Sequence, residues 1–297
     1  MKKHLTYSCL SIVGAFLALI IIYGCSGLIN SFQNQFFERD PALSYYDKNG
    51  DQVPGNMLSY ITYPISFGMV VIFSLVSTRY DGMEFDYLMK KFIVCFLFTL
   101  GLGSAIVANQ SVTTIIKRVV GRPRPAAFYM CNYKGYHDAV DSGDYSTYNS
   151  LTTANAEGFV SNCYGSYVDA FQSFPSGHAS QAFVTLLFAT LLLRSLLQVS
   201  ERNFFSLANM AAFGPVVIAS WISLTRITDN KHHADDVIAG VIIGSVCALL
   251  AYWTVDDWLM AAAEKTTEDT NSPGGNPKKQ QDVDSNRGMT ITREGNV

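Results

Sequence analysis

Six apolar runs divide the chain, at residues 5–29, 57–78, 92–116, 179–197, 204–224 and 237–258. Each is close to the roughly 20 residues that a helix needs to cross a hydrocarbon core. The apolar residues come in blocks and not on one face at a 3.6-residue period, so lipid is the expected surrounding. The expected fold is all-α, with six transmembrane helices and a long polar loop (117–174) between the third and the fourth. Shorter connectors lie at 30–55, 79–91 and 198–203. Residues 1–262 are expected to form one membrane domain, and 263–297 a disordered tail, because Thr, Asn, Gly, Pro, Lys and Asp without apolar periodicity cannot offset the entropy of ordering. The first run has a rival reading as a signal peptide, or as a lipoprotein signal ending near Cys25. Its length exceeds the usual apolar core of such signals and no cleavage site stands out, so it is read as a retained helix.

Composition agrees with the pattern. Of 297 residues, 49% are hydrophobic and only 15% charged, against about 25% charged in soluble domains. Mean hydropathy is +0.17 despite the polar tail. A net charge of −3 gives no reason to expect nucleic acid as a partner. With six spans, both termini share a side with the 79–91 and 198–203 connectors, which carry Arg79, Lys90, Lys91 and Arg202 beside Lys2 and Lys3. The first opposite loop holds only Arg39 and Lys48, so both termini are expected in the cytosol. Lys117, Arg118, Arg122 and Arg124 run against that count and call for a functional reason.

That topology brings three charged stretches to one extracytoplasmic face. The third run ends in Lys117-Arg118-Val-Val-Gly-Arg122-Pro-Arg124-Pro125. The fourth begins with Phe174-Pro175-Ser176-Gly177-His178, which presents free N–H groups at a helix start, a seat for an anion. Between the fifth and sixth lies TRITDNKHHADD, containing Arg226, His232, His233, Asp235 and Asp236. On a helix His232 and Asp236 share a face, so the carboxylate is placed to fix the imidazole tautomer and leave the other nitrogen free. Three cations, two N–H groups and two histidines suit a phosphoryl group. Arg118 and Arg122 are read as interfacial anchors, His233 and Asp235 as helix-capping or solvent-facing, and His4 and His137 as incidental. A metal site from the 232–236 cluster is the rival; adjacent residues rarely converge on one ion.

The three motifs, in this order and spacing, resemble the type 2 phosphatidic acid phosphatase superfamily, and their six-span setting looks most like its eukaryotic lipid phosphate phosphatases. The resemblance implies that Lys117, Arg124, Ser176, Gly177 and Arg226 bind substrate phosphate. It implies His232 as a nucleophile forming a phosphohistidine, Asp236 as its orienting group and His178 as general acid, with no metal or other cofactor. The implied activity is hydrolysis of lipid phosphate monoesters of the phosphatidate, lysophosphatidate or sphingosine 1-phosphate class, in the plasma membrane or a secretory-pathway membrane. Rivals are a polyprenyl diphosphate or other non-glycerolipid phosphatase, and a non-catalytic lipid-phosphate binder. A homo-oligomer is compatible with the pattern. Thr225 stands where the third motif usually has Ser, and keeps the hydroxyl.

Six cysteines show no zinc-ligand spacing. Cys9, Cys25, Cys95 and Cys247 fall in apolar runs. Cys131 and Cys163 are the two in the long loop, and a disulfide between them is expected if that loop faces an oxidising compartment.

Overall fold

The structure, a computed structural model, describes residues 2–46, 50–83, 85–197 and 206–271. The 198–203 connector and most of the expected tail lie outside the described residues. Every element among those described is helical, apart from two single β-bridges, Phe37–Glu157 and Tyr133–Cys163. The chain runs through α1 (Lys2–Ser26), α2 (Gly55–Val76) and α3 (Tyr87–Val120). Three short helices follow, α4 (Ala127–Met130), α5 (Tyr136–Ser142) and α6 (Ser146–Leu151), before α7 (Gly177–Leu196), α8 (Leu207–Ala212), α9 (Gly214–Thr228) and α10 (Ala234–Asn271).

Among the described residues, four helices are long and apolar enough to span a membrane: α2, α3, α7 and α10. The outward faces of α2, α3 and α10 show large apolar side chains, among them Ile72, Leu75, Phe92, Ile238, Ile242 and Leu250. Water would oppose so continuous an apolar surface, whereas acyl chains accept it. The first expected span corresponds to α1, which packs along α3. The fifth is interrupted. Pro215 has no N–H for an intrahelical bond and its ring would clash with the carbonyl of residue 211, so α8 stops at Ala212 and α9 starts afresh at Gly214, with proline in its first turn. The sixth run is longer than expected, continuing as helix to Asn271.

α7 is the hub, packed against α2, α3, α9 and α10. Its approach to α10 is closest where Gly240 and Gly244 face it. A Cβ at Gly240 would stand 2.5 Å from the Ser176 carbonyl oxygen, and one at Gly244 would stand 2.3 Å from that of Ser180. The GxxxG spacing brings the two backbones together and sets the start of α10 beside the start of α7. At the other end of the bundle, Phe73, Tyr80, Phe98, Phe188 and Tyr252 interlock, many edge to face.

The 117–174 stretch, expected as a long polar loop, is a packed cap beyond the end of α3. Phe128, Tyr133, Tyr148 and Phe171 form its core, and Phe36 enters it from the segment after α1. Buried Glu38 fastens that segment, accepting from Tyr133 Oη (2.8 Å) and the Thr153 N–H (2.9 Å) and pairing with Lys134. Burial alone would raise the Glu38 carboxyl, but these donors outweigh it and hold it below its ordinary value. Cys131 and Cys163 are joined within the cap, their Cα atoms 5.2 Å apart. The aromatic spacing of the cap follows neither helical nor strand periodicity, which is why the sequence pattern missed this core.

Candidate active site

Three chain segments meet where α3 ends and α7 and α10 begin, and backbone hydrogen bonds stitch them together. Ser173 N–H donates to the Arg122 carbonyl (2.9 Å), Arg124 N–H to that of Ala170 (2.8 Å), Ala126 N–H to that of Asn230 (3.2 Å) and Ser176 N–H to that of Asp236 (2.9 Å). Ser176 caps α7, its hydroxyl accepting from the Ala179 N–H. The structure thus brings together all eight residues that the three motifs nominated.

The cations are held by different means. Lys117 Nζ donates to the Gln172 carbonyl (2.8 Å), and its Cε lies 3.7 Å from where a Cβ on Gly177 would stand. Arg124 spans two loops: Nε and Nη2 bond Asp169 (2.8 and 2.7 Å), and Nη1 bonds the Lys231 carbonyl (3.3 Å). Arg226 is 1% exposed. Its Nη2 pairs with Asp229 (2.7 Å), and Nε and Nη2 both reach Thr225 Oγ1 (3.2 and 3.1 Å). The Thr225 hydroxyl is therefore spent on positioning Arg226.

His232 lies in the loop before α10, not on a helix with Asp236. Its Nδ1 is 2.7 Å from the Ser173 carbonyl but 3.8 Å from Asp236 Oδ2. The first is a hydrogen bond and the second is too long to be one. A carbonyl only accepts, so Nδ1 carries the proton and Nε2 keeps its lone pair. The expected tautomer-fixing bond thus goes to Ser173, and Asp236 acts on the imidazole by its charge. Burial pushes His232 down to about 3; Asp236 opposes this, and the charges of Arg124 and Lys117 reinforce it. The ring is neutral at physiological pH, as a nitrogen nucleophile needs to be.

Asp236 is completely buried. Oδ2 accepts from Ser173 Oγ (2.5 Å) and the His233 N–H (2.8 Å), with the His233 ring 3.2 Å away; Oδ1 accepts from Arg122 Nη1 (2.7 Å). The bond from His233 N–H is half of a capping box at the start of α10. Arg122 also pairs with Asp235. It is a ligand to the site's buried carboxylate, not the free interfacial anchor expected of it. Arg118 ties α3 to the end of α1 by donating to the carbonyls of Gly27 (3.0 Å) and Ile29 (2.7 Å). His178 Nε2 is buried and has no hydrogen-bond partner, a donor or acceptor held in reserve.

Sequence reasoning missed Ser173, Asp51, Asp229 and the role of Arg122. Ser173 works partly through its main-chain oxygen, which leaves no mark in a sequence. The only signal for Arg122 is its position two residues before Arg124.

Cations, imidazoles and the N–H groups at the start of α7 are thus gathered at one end of a bundle of helices apolar enough to cross a membrane. Residues 92–260 match the sequence pattern of the PAP2 superfamily, and the chain belongs to that superfamily. Curated relatives include phospholipid phosphatase 1 of Rattus norvegicus, 26% identical over 90% of this chain and 89% of its own length. Probable lipid phosphate phosphatase 4 of Arabidopsis thaliana is 32% identical, over 52% of this chain and 46% of its own. Probable diacylglycerol pyrophosphate phosphatase 1 of Schizosaccharomyces pombe is 26% identical, over 76% and 73%. No solved structure matches the chain.

Proposed function

We propose that this protein is an integral membrane phosphatase that hydrolyses lipid phosphate monoesters of the phosphatidate, lysophosphatidate or sphingosine 1-phosphate class. The observation that carries the reading is His232, anchored through Nδ1 on the Ser173 carbonyl with Nε2 unspent, gathered with Lys117, Arg124 and Arg226. Nε2 attacks phosphorus, forming a P–N bond as the P–O bond to the lipid alcohol breaks. His178 gives a proton to the departing oxygen. Water, deprotonated by His178, then attacks phosphorus, the P–N bond breaks and inorganic phosphate leaves. Lys117, Arg124, Arg226 and the N–H groups at Ser176 and Gly177 take the charge on the phosphoryl oxygens, and Asp236 stabilises the imidazolium. No step calls for a metal.

The pocket is assigned to the extracytoplasmic face, with both termini cytosolic. The Cys131–Cys163 pairing in the cap supports this, since such bonds persist in oxidising compartments. Arg79, Lys90 and Lys91 at the other end support it by the positive-inside rule. A lipid diphosphate is the second reading, suggested by the name of the fission yeast relative.

Purified protein assayed with chelator against phosphatidate, lysophosphatidate, sphingosine 1-phosphate, a lipid diphosphate and a sugar phosphate tests the reading. Release of phosphate from the lipid monoesters, blocked by vanadate as a transition-state mimic, is expected. Activity lost to chelator and restored by zinc or magnesium would overturn the metal-free mechanism. Activity confined to the sugar phosphate would overturn the lipid assignment.

A further inference from the structure

Asp51 belongs to none of the three motifs, yet its carboxylate faces the phosphate pocket. Oδ1 lies 3.2 Å from Arg226 Nη1 and 3.8 Å from Lys231 Nζ. That oxygen is buried and takes no hydrogen bond. The chain on its C-terminal side is pinned. Gln52 donates from its backbone N–H to Asp229 Oδ2 (3.0 Å) and from Nε2 to Asp229 Oδ1 (2.6 Å) and Thr228 Oγ1 (2.8 Å). Val53 is fully buried in an apolar cluster that includes Ala182 and Ile222 of α7 and α9. Asp51 is held facing inward.

Arg226 has two carboxylates at ion-pair distance, Asp229 and Asp51. Its Nε and Nη2 are engaged by Thr225 and Asp229, which leaves Nη1 as the nitrogen open to a phosphate oxygen, and Asp51 stands in front of it. An acid beside an anion seat weakens the seat, so a bare structural role explains it poorly. Its neighbours show which side it serves. Val53, two residues on, shares its apolar cluster with Ala182, which stands one turn along the same face of α7 from His178, whereas the carboxylate beside His232 is Asp236, at 3.8 Å. With His178 beside the departing oxygen, Asp51 flanks the leaving group.

We infer that Asp51 is a specificity-determining residue that favours neutral or cationic leaving groups over anionic ones. Phosphatidate releases an uncharged diacylglycerol. Diacylglycerol diphosphate releases phosphatidate, whose negative charge sits next to the bond that breaks. A fixed carboxylate at that place tolerates the first and repels the second, which is selectivity by a repulsive contact. The ammonium group of sphingosine 1-phosphate, two carbons from the ester oxygen, is attracted to the same carboxylate. The inference rests on the lipid phosphatase reading above and on His178 as its acid.

The test compares kcat/KM for phosphatidate and diacylglycerol diphosphate of identical acyl chains, in wild type, Asp51→Asn and Asp51→Glu. Asp51→Asn is expected to raise the diphosphate-to-monoester ratio at least about tenfold, a shift of about 1.4 kcal/mol in relative barrier. Asp51→Glu keeps the charge and should leave the ratio within about twofold of wild type, whatever it does to the absolute rates. An unchanged ratio in Asp51→Asn, with both activities falling in parallel or lost together, makes Asp51 a structural partner of Arg226 and overturns the inference alone. Wild-type protein inactive on both lipids would overturn the lipid phosphatase reading and the inference with it.

Discussion

Two buried carboxylates on α10, Asp236 and Asp256, stand 20 residues and so about 30 Å apart, and both pair with an arginine outside that helix. At Asp256 the network closes on itself. Arg79 forks onto it through Nε (3.1 Å) and Nη2 (2.9 Å), and the Tyr80 hydroxyl donates to Oδ1. Burial, reinforced by Asp256, pushes the Tyr80 hydroxyl up, so it stays a donor. At Asp236 the partners Ser173, His233 and Arg122 are themselves supports, since Ser173 also anchors His232. Among the described residues, what remains is an imidazole nitrogen with its lone pair, a His178 Nε2 without a hydrogen-bond partner, and a Lys117 amine bonded to a carbonyl with no carboxylate at ion-pair distance. A structural clasp uses up its hydrogen-bonding capacity, whereas a reactive site leaves some of it deliberately unspent.

The most forceful way to break this comparison is to remove the unspent groups. His232→Ala and His178→Ala should each lower turnover at least about a hundredfold, with the fold of the bundle intact by circular dichroism. His178→Ala should regain part of its activity on nitrophenyl phosphate, whose leaving group needs no proton. Equal losses on both substrate types would make His178 structural.

A milder change tests the support beneath the site. Arg122→Gln leaves Asp236 without its charged partner and loosens the hold on the 173–176 segment. Turnover is expected to fall roughly tenfold, of the order of one charge-assisted hydrogen bond, with little change in KM. A rise in KM with kcat unchanged would instead place Arg122 on the substrate.

Acid sharpens the contrast through stability. Folded protein keeps His232 neutral down to about 3, whereas an unfolded chain protonates it near 6.5. The unfolded state therefore binds the extra proton as pH falls. The stability tied to His232 is complete above pH 6.5 and is lost below it by about 1.4 kcal/mol per pH unit. Between pH 6.5 and 5, wild type should lose thermal stability more steeply than His232→Asn; parallel curves would contradict the buried neutral ring.

At the far end the prediction is for chemistry to persist. Asp256→Ala strands the Tyr80 hydroxyl and the Arg79 guanidinium, and should destabilise the protein by about 1–3 kcal/mol. Turnover per folded molecule should stay within about twofold of wild type, if substitution there leaves the chemical step untouched. The cap offers a companion test. Mass spectrometry of non-reduced, alkylated protein from its native membrane should find Cys131 linked to Cys163, and labelling of both thiols would contradict both the pairing and the proposed orientation. Reduction should destabilise the cap by at most roughly 3–4 kcal/mol on the chain-entropy account, with the aromatic core around Phe36 and Phe128 limiting the loss of activity.

The sequence by itself determined the helices and the short-range chemistry. Blocks of apolar residues specify membrane spans because the hydrocarbon core requires every backbone group to bond within its own helix. The motif residues Lys117, Arg124, Ser176, Gly177, His178, Arg226, His232 and Asp236 could be nominated because residue type and local spacing mark them, and the structure gathers them at one end of the bundle. Where spacing alone was trusted, it misled: His232 and Asp236, placed on one helical face, are separated by the turn into α10, and the fifth run breaks at Phe213. Tertiary structure alone decided the supports. Ser173 reaches His232 across 59 residues through a main-chain oxygen, Arg122 reaches Asp236 across 114, and Gln52 reaches Asp229 across 177. Such contacts carry no periodicity, and those of Ser173 and Arg122 need the start of α10 beside the start of α7, where Gly240 and Gly244 allow the two backbones to meet.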